Sequence, residues 1–526
     1  DKGAWSNFAG NPLVDVVYAL AYLPFRHSPY WMVQSCGFGR LILFSLLWLS
    51  ATLVAGQFSA FAPPVLAAGL LFVTPLAGDM VHFPSDPLFA SMAGFSLWQL
   101  LRFYHTRHTR HLALASFFMG LAALARNDGL FLFVILACLA LYLILRGGRI
   151  LLNSAAILLP FAVLVGGYIL IYGLFTGNFD PGVMRRTYDN FEAGQQVIYG
   201  GTGEVNAVTE AKLAARQAFG TPQENGYSVF NAIRRSPRVY LQRLEITIKN
   251  LPNQVLHAYG IRFAALLFLL ALRGLIELVV RKKYFLMAAT LLWPLHLTTG
   301  IAITLYREGH LLFPFFIVFA LCAIGLAALL RHLGDRRERL VWTALLLALV
   351  VYGIFANKLA IYYGAVVFLV AIWVIYLFKS RFQGEREASI APLLILLLAG
   401  IILRGSFPSP VLPALGTEAR EQASVYLAQR LPPDSIVAAA SPGPVWAAKM
   451  VFANLAATDF PHLTTPQEFE AWMKAEGVQA VYVDHTLTHD NPATWDLIKP
   501  LAGRSLQRVF SGEAGDIQVF IVKSAP

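Results

Sequence analysis

Three short segments gather acids, arginines and a histidine where an apolar run begins or ends. Phe83–Phe89 reads FPSDPLF, Leu124–Gly129 reads LARNDG and Leu305–Pro314 reads LYREGHLLFP. A carboxylate such as Asp86 can take the proton of an attacking hydroxyl. A guanidinium such as Arg126 or Arg307 offers a planar donor fork that matches a phosphate, and His310 follows Arg307 within one helical turn. Each segment also has a plainer reading. The helix dipole favours Asp86 in a first helical turn, Arg126 and Asp128 are close enough to pair across a turn, and Arg307 can snorkel to an interface. The residues alone leave both readings open at all three places.

The elements that carry these segments read as membrane helices. Of the 526 residues, 57% are hydrophobic and 13% charged, against about 45–50% and about 25% in a soluble domain. Soluble globular, disordered, collagenous and coiled-coil classes are excluded for most of the length. Apolar segments lie near 38–56, 60–79, 86–104, 111–126, 129–146, 151–175, 261–280, 284–304, 309–331, 338–356, 358–378 and 390–404, twelve in all. Most reach the roughly 17–25 residues that cross about 30 Å of hydrocarbon, where the backbone must pair within its own segment.

Charge sets the orientation. One set of alternate short loops, including Arg146, Arg149, Lys282, Lys283, Arg336 and Arg337, carries sixteen Lys/Arg, and the opposite helix ends carry six. The richer side is cytoplasmic. Residues 1–37, the turns at 82–86, 126–129 and 306–309, the long loop 176–260 and the C-terminal region then fall outside, so all three chemical segments share one face. Both ends outside with twelve crossings predicts a thirteenth helix ahead of Asp1. The basic excess belongs to membrane topology, not to a nucleic-acid surface. Cys36, Cys138 and Cys322 form no disulfide framework or metal spacing. His105, His108 and His111 stand among basic residues in a cytoplasmic loop, and Arg273, Glu277 and Arg281 have the i, i+4 spacing of a stabilised helix face.

Two regions break the apolar pattern. Within 176–260, Glu204–Ala218 has helical periodicity and Ser228–Asn250 has the alternation of amphipathic interfacial helices. They form either a packed cap or a platform for a lipid-linked substrate. After the proline-rich linker at 405–416, residues 417–526 become soluble in composition. Of the 41 Lys/Arg and 30 Asp/Glu, this region holds 8 and 12, leaving 33 and 18 for residues 1–415. Helices at Thr417–Gln429 and Pro466–Glu476 and strands at Ser435–Ala440, Val478–Asp484 and Ile517–Lys523 predict a small α/β domain with a mixed sheet. The expected fold is thus an α-helical polytopic membrane protein: a transmembrane domain over 1–404, the linker, and an extracytoplasmic α/β domain over 417–526.

The segments at Ser85–Phe89, Ala122–Gly129 and Arg307–Pro314, in that order and on one face, resemble the integral-membrane glycosyltransferases of the GT-C fold. The pattern is nearest to protein O-mannosyltransferases and lipid A aminoarabinose transferases. The resemblance spans most of 1–404 and the outside domain. It implies a sugar donor linked to a polyprenyl phosphate, transfer with inversion to a glycan, lipid or protein acceptor, and residence among membrane lipids in the plasma membrane. It also implies an acidic residue in the first outside loop acting near the acceptor. DKGAWSNFA at the start of the chain has the family's aromatic and small residues at the matching offsets, which marks Asp1, with Asp15 as the fallback. Asp1 and Asp86 are then the catalytic carboxylates, and Arg126, Arg307, His310, Arg185 and Arg186 the phosphate-binding set. No cofactor is implied, and no ligand spacing supports a divalent metal. The first loop lacks an Asp-x-Asp, which disfavours the metal-dependent oligosaccharyltransferase branch.

Three other classes compete. A transporter or lipid flippase would place charge or broken helices at mid-membrane, often with internal repeats, and this sequence clusters its charge at one face. The others are a scaffold that presents the C-terminal domain and a ligase or polymerase acting on lipid-linked glycans.

Overall fold

A computed structural model describes residues 12–26, 31–58, 85–147, 149–177, 183–199, 214–258, 261–295, 312–332, 335–355, 417–441, 451–455, 463–484, 491–512, 517–523 and a few positions between them. It divides into two units. One comprises Asp1–Val16, Arg40–Gly200 and Thr209–Pro410, the other Val17–Gly39, Gly201–Val208 and Val411–Pro526.

The helices follow the apolar runs. In chain order they are α1 (Pro12–Tyr22), α2 (Trp31–Phe58), α3 (Ser85–Thr106), α4 (Thr109–Ala125), α5 (Asp128–Gly147) and α6 (Ile150–Thr176). Then come α7 (Val183–Gly194), α8 (Val229–Arg235), α9 (Pro237–Ala258), α10 (Ile261–Val280), α11 (Tyr284–Leu292), α12 (Leu312–His332) and α13 (Arg336–Phe355). Among the described residues, four helical stretches are long and apolar enough to cross a membrane: Gly37–Val54, Asp128–Gly147, Ile150–Thr176 and Arg336–Phe355. Their surfaces agree with a lipid solvent. On α6, Leu151 is 87% exposed and Leu174 70%, a state that water would penalise and hydrocarbon does not. Expected segments 60–79 and 390–404, and most of 358–378, lie outside the described residues.

Three expectations change. The segment expected as the first outside loop contains a helix, α1, which starts with Pro12 and carries Asp15 in its first turn; at 11 residues it is too short to read as a span. The segment 284–304 does not begin as one long helix, because α11 gives way to a 3-10 turn at Trp293–Leu295, where Pro294 lacks the N–H the ladder needs. The stretch Ser228–Asn250 splits. Ser228 caps α8 by accepting from the Asn231 N–H at 3.3 Å, and Pro237 opens α9, a position where its missing N–H costs nothing.

Specific contacts join the helices. The Ser96 hydroxyl donates to Ala115 O at 2.7 Å, tying α3 to α4. On α6, the Phe161 N–H next to Pro160 donates to Ser116 Oγ at 3.0 Å, the way a serine from a neighbouring helix satisfies backbone freed by proline. Gly274 of α10 and Gly325 of α12 bring those helices together: a Cβ on either would meet a carbonyl oxygen of the other helix at 2.0 Å. Glu277 joins Arg273 at 3.0 Å and Arg281 at 2.6 Å, and Arg273 reaches Glu338 of α13 at 2.7 Å. Within the long loop 176–260, Tyr188, Phe191, Phe219 and Ala232 form a buried core, and Asn225 Nδ2 donates to Tyr188 at 2.7 Å and to Phe219 O at 2.9 Å. This region is a packed subdomain.

The second unit carries the sheet. Its elements are α14 (Thr417–Arg430), β1 (Ile436–Ala439), β2 (Val451–Asn454), α15 (Pro466–Ala475), β3 (Val478–Val483), α16 (Pro492–Ile498), β4 (Leu506–Ser511) and β5 (Gln518–Val522). The strand order is β2-β1-β3-β5-β4, with β1 parallel to β2 and β3, and β5 antiparallel to β3 and β4. The sheet is mixed, as expected. It separates a core layer around Phe469, Met473 and Phe520 from one around Leu427, Val437 and Tyr482. β2 and β4 have no counterpart in the sequence reading. Both are edge strands that bury little, so neither shows the alternation of a half-buried strand.

Candidate functional site

Two helix starts and one helix end build the site. α3 opens at Ser85 with Asp86 in its first turn, and α5 opens with Asp128. Both carboxylates thus sit at the positive end of a helix dipole. Between them, α4 ends at Ala125. Arg126 follows in extended conformation (φ −155°, ψ 142°), its N–H donating to Ala122 O at 2.9 Å. The turn then closes on itself. A Cβ at Gly129 would lie 2.5 Å from both the Cα and the N of Ala123, so α5 starts directly against the last turn of α4 and only glycine fits.

That geometry aims the Arg126 guanidinium between two carboxylates. Nη1 donates to Asp86 Oδ1, and Nη2 donates to Asp128 Oδ2 at 2.6 Å. The guanidinium carbon stands 5.7 Å from the Phe89 ring, one turn along α3 from Asp86. Asp86 is buried, with 6% exposure. Burial alone would lower the Arg126 pKa, but Asp128 and Asp86 together outweigh it and raise the value. The guanidinium is therefore held in its charged form between the two carboxyl groups. Such a cluster can orient a hydroxyl or accept its proton, and it presents one cation already shared between two anions.

The remaining sequence candidates are placed as follows. Asp1, Arg307 and His310 lie outside the described residues. Arg185 and Arg186 fall in the first turn of α7, and Asp15 in that of α1. The pairing of Arg126 with Asp128 was one of the two sequence readings for that turn. Its extension to Asp86, 40 residues away, and the Phe89 ring beside it have no counterpart in the sequence pattern. The signal available in the sequence is two acid-bearing helix starts flanking one arginine. Among the described residues, no group of three or more His, Cys, Asp or Glu is placed to hold a metal ion.

The structure of ArnT from Cupriavidus metallidurans bound to undecaprenyl phosphate matches 98% of this chain and 88% of that one, with 14% identity and a TM-score of 0.59. The fold is GT-C. The apo form of the same ArnT gives 98%, 87%, 14% and 0.55. The archaeal oligosaccharyltransferase AglB from Archaeoglobus fulgidus, in complex with an inhibitory peptide and a dolichol-phosphate, gives 98%, 66%, 14% and 0.41. No protein-family model and no curated protein matches the chain.

Proposed function

We propose that the chain is a glycosyltransferase that moves a sugar from a polyprenyl-phosphate-linked donor to a glycan, lipid or protein acceptor at the extracytoplasmic face of the cell membrane. The observation that carries this reading is the Asp86–Arg126–Asp128 cluster, held at two helix starts of a chain with the GT-C fold. The ArnT structure with undecaprenyl phosphate bound supports the choice of donor, because polyprenyl phosphate is the leaving group of the reaction. A transporter or flippase is not favoured by this fold.

An acceptor hydroxyl oxygen attacks the anomeric carbon. The bond from that carbon to the phosphate oxygen breaks, its electron pair leaves with the polyprenyl phosphate, and attack from the opposite face inverts the configuration. A phosphate needs no general acid to depart, unlike the alkoxide leaving group of a glycosidase. One carboxylate is enough to take the hydroxyl proton, worth about 10²–10⁴-fold. Asp1 takes that proton, and Asp86 orients the acceptor or the base. Charge growing on the phosphate is met by fixed cations: Arg307, His310, Arg185 and Arg186. Arg126 joins them by giving up a carboxylate, because both its terminal nitrogens are engaged. The excess of Lys/Arg in the alternate loops supports an extracytoplasmic α/β domain.

The test is transfer by the reconstituted full-length chain, using polyprenyl-phosphate-linked sugars and a panel of glycan, lipid and peptide acceptors. Free polyprenyl phosphate and glycosylated acceptor should appear together. Absence of both with every donor would refute the proposal.

A further inference from the structure

The second unit holds an open cleft of about 620 Å³ that the transferase reading does not use. Trp495 of α16, Lys499 just after it, Arg508 of β4, Phe520 of β5 and Lys523 line it. The register explains the arrangement. Arg508 pairs with Phe520 across the antiparallel strands, and Phe520 belongs to the core layer that also contains Ile498 and Leu501 and packs against Trp495. The hairpin therefore turns Arg508 toward the side where α16 lies.

The charge is out of keeping with its surroundings. Residues 416–526 hold 8 Lys/Arg and 12 Asp/Glu, yet Lys499, Arg508 and Lys523 all line this cleft. Lys523 Nζ donates to Gly503 O at 3.1 Å. Among the described residues, Lys499 and Arg508 have no ion-pair partner, and both are exposed. Gly503, at φ +84°, also lines the cleft, and nothing stands within 4 Å of where its Cβ would be. A cation cluster beside a half-buried indole, around unfilled space, is the chemistry of an anion attached to a ring with an apolar face.

We infer that this cleft binds a phosphorylated saccharide. Arg508 takes the phosphate with its planar fork, Lys499 and Lys523 add charge-assisted donors, and Trp495 covers the C–H face of the sugar ring. A free sugar phosphate and the phosphorylated ring of a lipid head group offer the same chemistry. The inference rests on the cleft alone and stands or falls apart from the transferase reading.

The experiment follows Trp495 by fluorine NMR in the full-length, fluorotryptophan-labelled chain in phosphatidylcholine nanodiscs, its resonance assigned with W495F. Glucose 6-phosphate tests the free source, and nanodiscs doped with phosphatidylinositol 4-phosphate test the membrane-borne one. A saturable shift is expected in at least one arm. It should weaken about tenfold in the exposed-site double variant K499A/R508A, with glucose leaving the resonance unmoved. The inference is overturned if neither arm moves the resonance, if glucose or inorganic phosphate acts as strongly as glucose 6-phosphate, or if the double variant responds like the parent chain.

Discussion

Replacing Arg126 by alanine should cost far more stability than replacing Asp86 by asparagine, although each change removes one partner of the same ion pair. The reason is the shared cation. At an effective dielectric of about 20 and about 4 Å, each carboxylate–guanidinium attraction is worth about 4 kcal/mol before desolvation. R126A removes both attractions and takes from Asp86 and Asp128, with side chains only 8% and 24% exposed, the cation they share. Breaking a buried pair in this way costs about 3–5 kcal/mol. D86N keeps the side-chain shape and leaves Arg126 on Asp128 at 2.6 Å, so the part of its cost that comes from this ion pair is about 1.5–3 kcal/mol. The order of effects reverses in the second background. Once Arg126 is gone, D86N removes a buried charge and should raise stability. Reversible unfolding of the four proteins of this cycle in detergent measures the coupling. The reasoning is refuted if D86N costs as much as R126A, or if it destabilises further in the R126A background.

Two other changes probe separate parts of the structure. G129A forces a Cβ to within 2.5 Å of the Ala123 backbone; a loss of about 1–3 kcal/mol is expected, with transfer activity falling alongside, and an unchanged melting temperature would contradict the close approach of α4 and α5. In the α/β unit, the Thr464 and Thr465 N–H groups donate to Glu468 and hold its carboxyl below the ordinary range. A depressed carboxyl pKa adds stability above the unfolded value and loses it as pH falls through the folded one. Hydrogen exchange in α15 should therefore be slower in the parent chain than in E468Q at neutral pH, the difference closing below about pH 4, whereas a pH-independent difference would point to packing instead of charge.

The parts of the fold legible in the sequence are those where a run of one chemistry has sharp ends. The apolar runs match α3 to α6 to within two residues because Asp86, Arg126, Asp128 and Arg149 interrupt them. The sequence also places α15 at Pro466–Glu476, and the structure adds a capping box formed by Thr465 and Glu468. What escaped depends on neighbours. β2 and β4 owe their strand form to one paired edge each. The Asp86–Arg126 contact depends on how tightly α4 and α5 turn at Gly129, which spacing along the chain does not encode.

The most direct test of the proposed activity is release of polyprenyl phosphate by the D86N variant, reconstituted in liposomes with donor and acceptor beside the parent chain. If Asp86 orients the acceptor or its base, release should fall by about 10²-fold or more while the protein stays folded. Release by D86N at the parent rate would contradict the account.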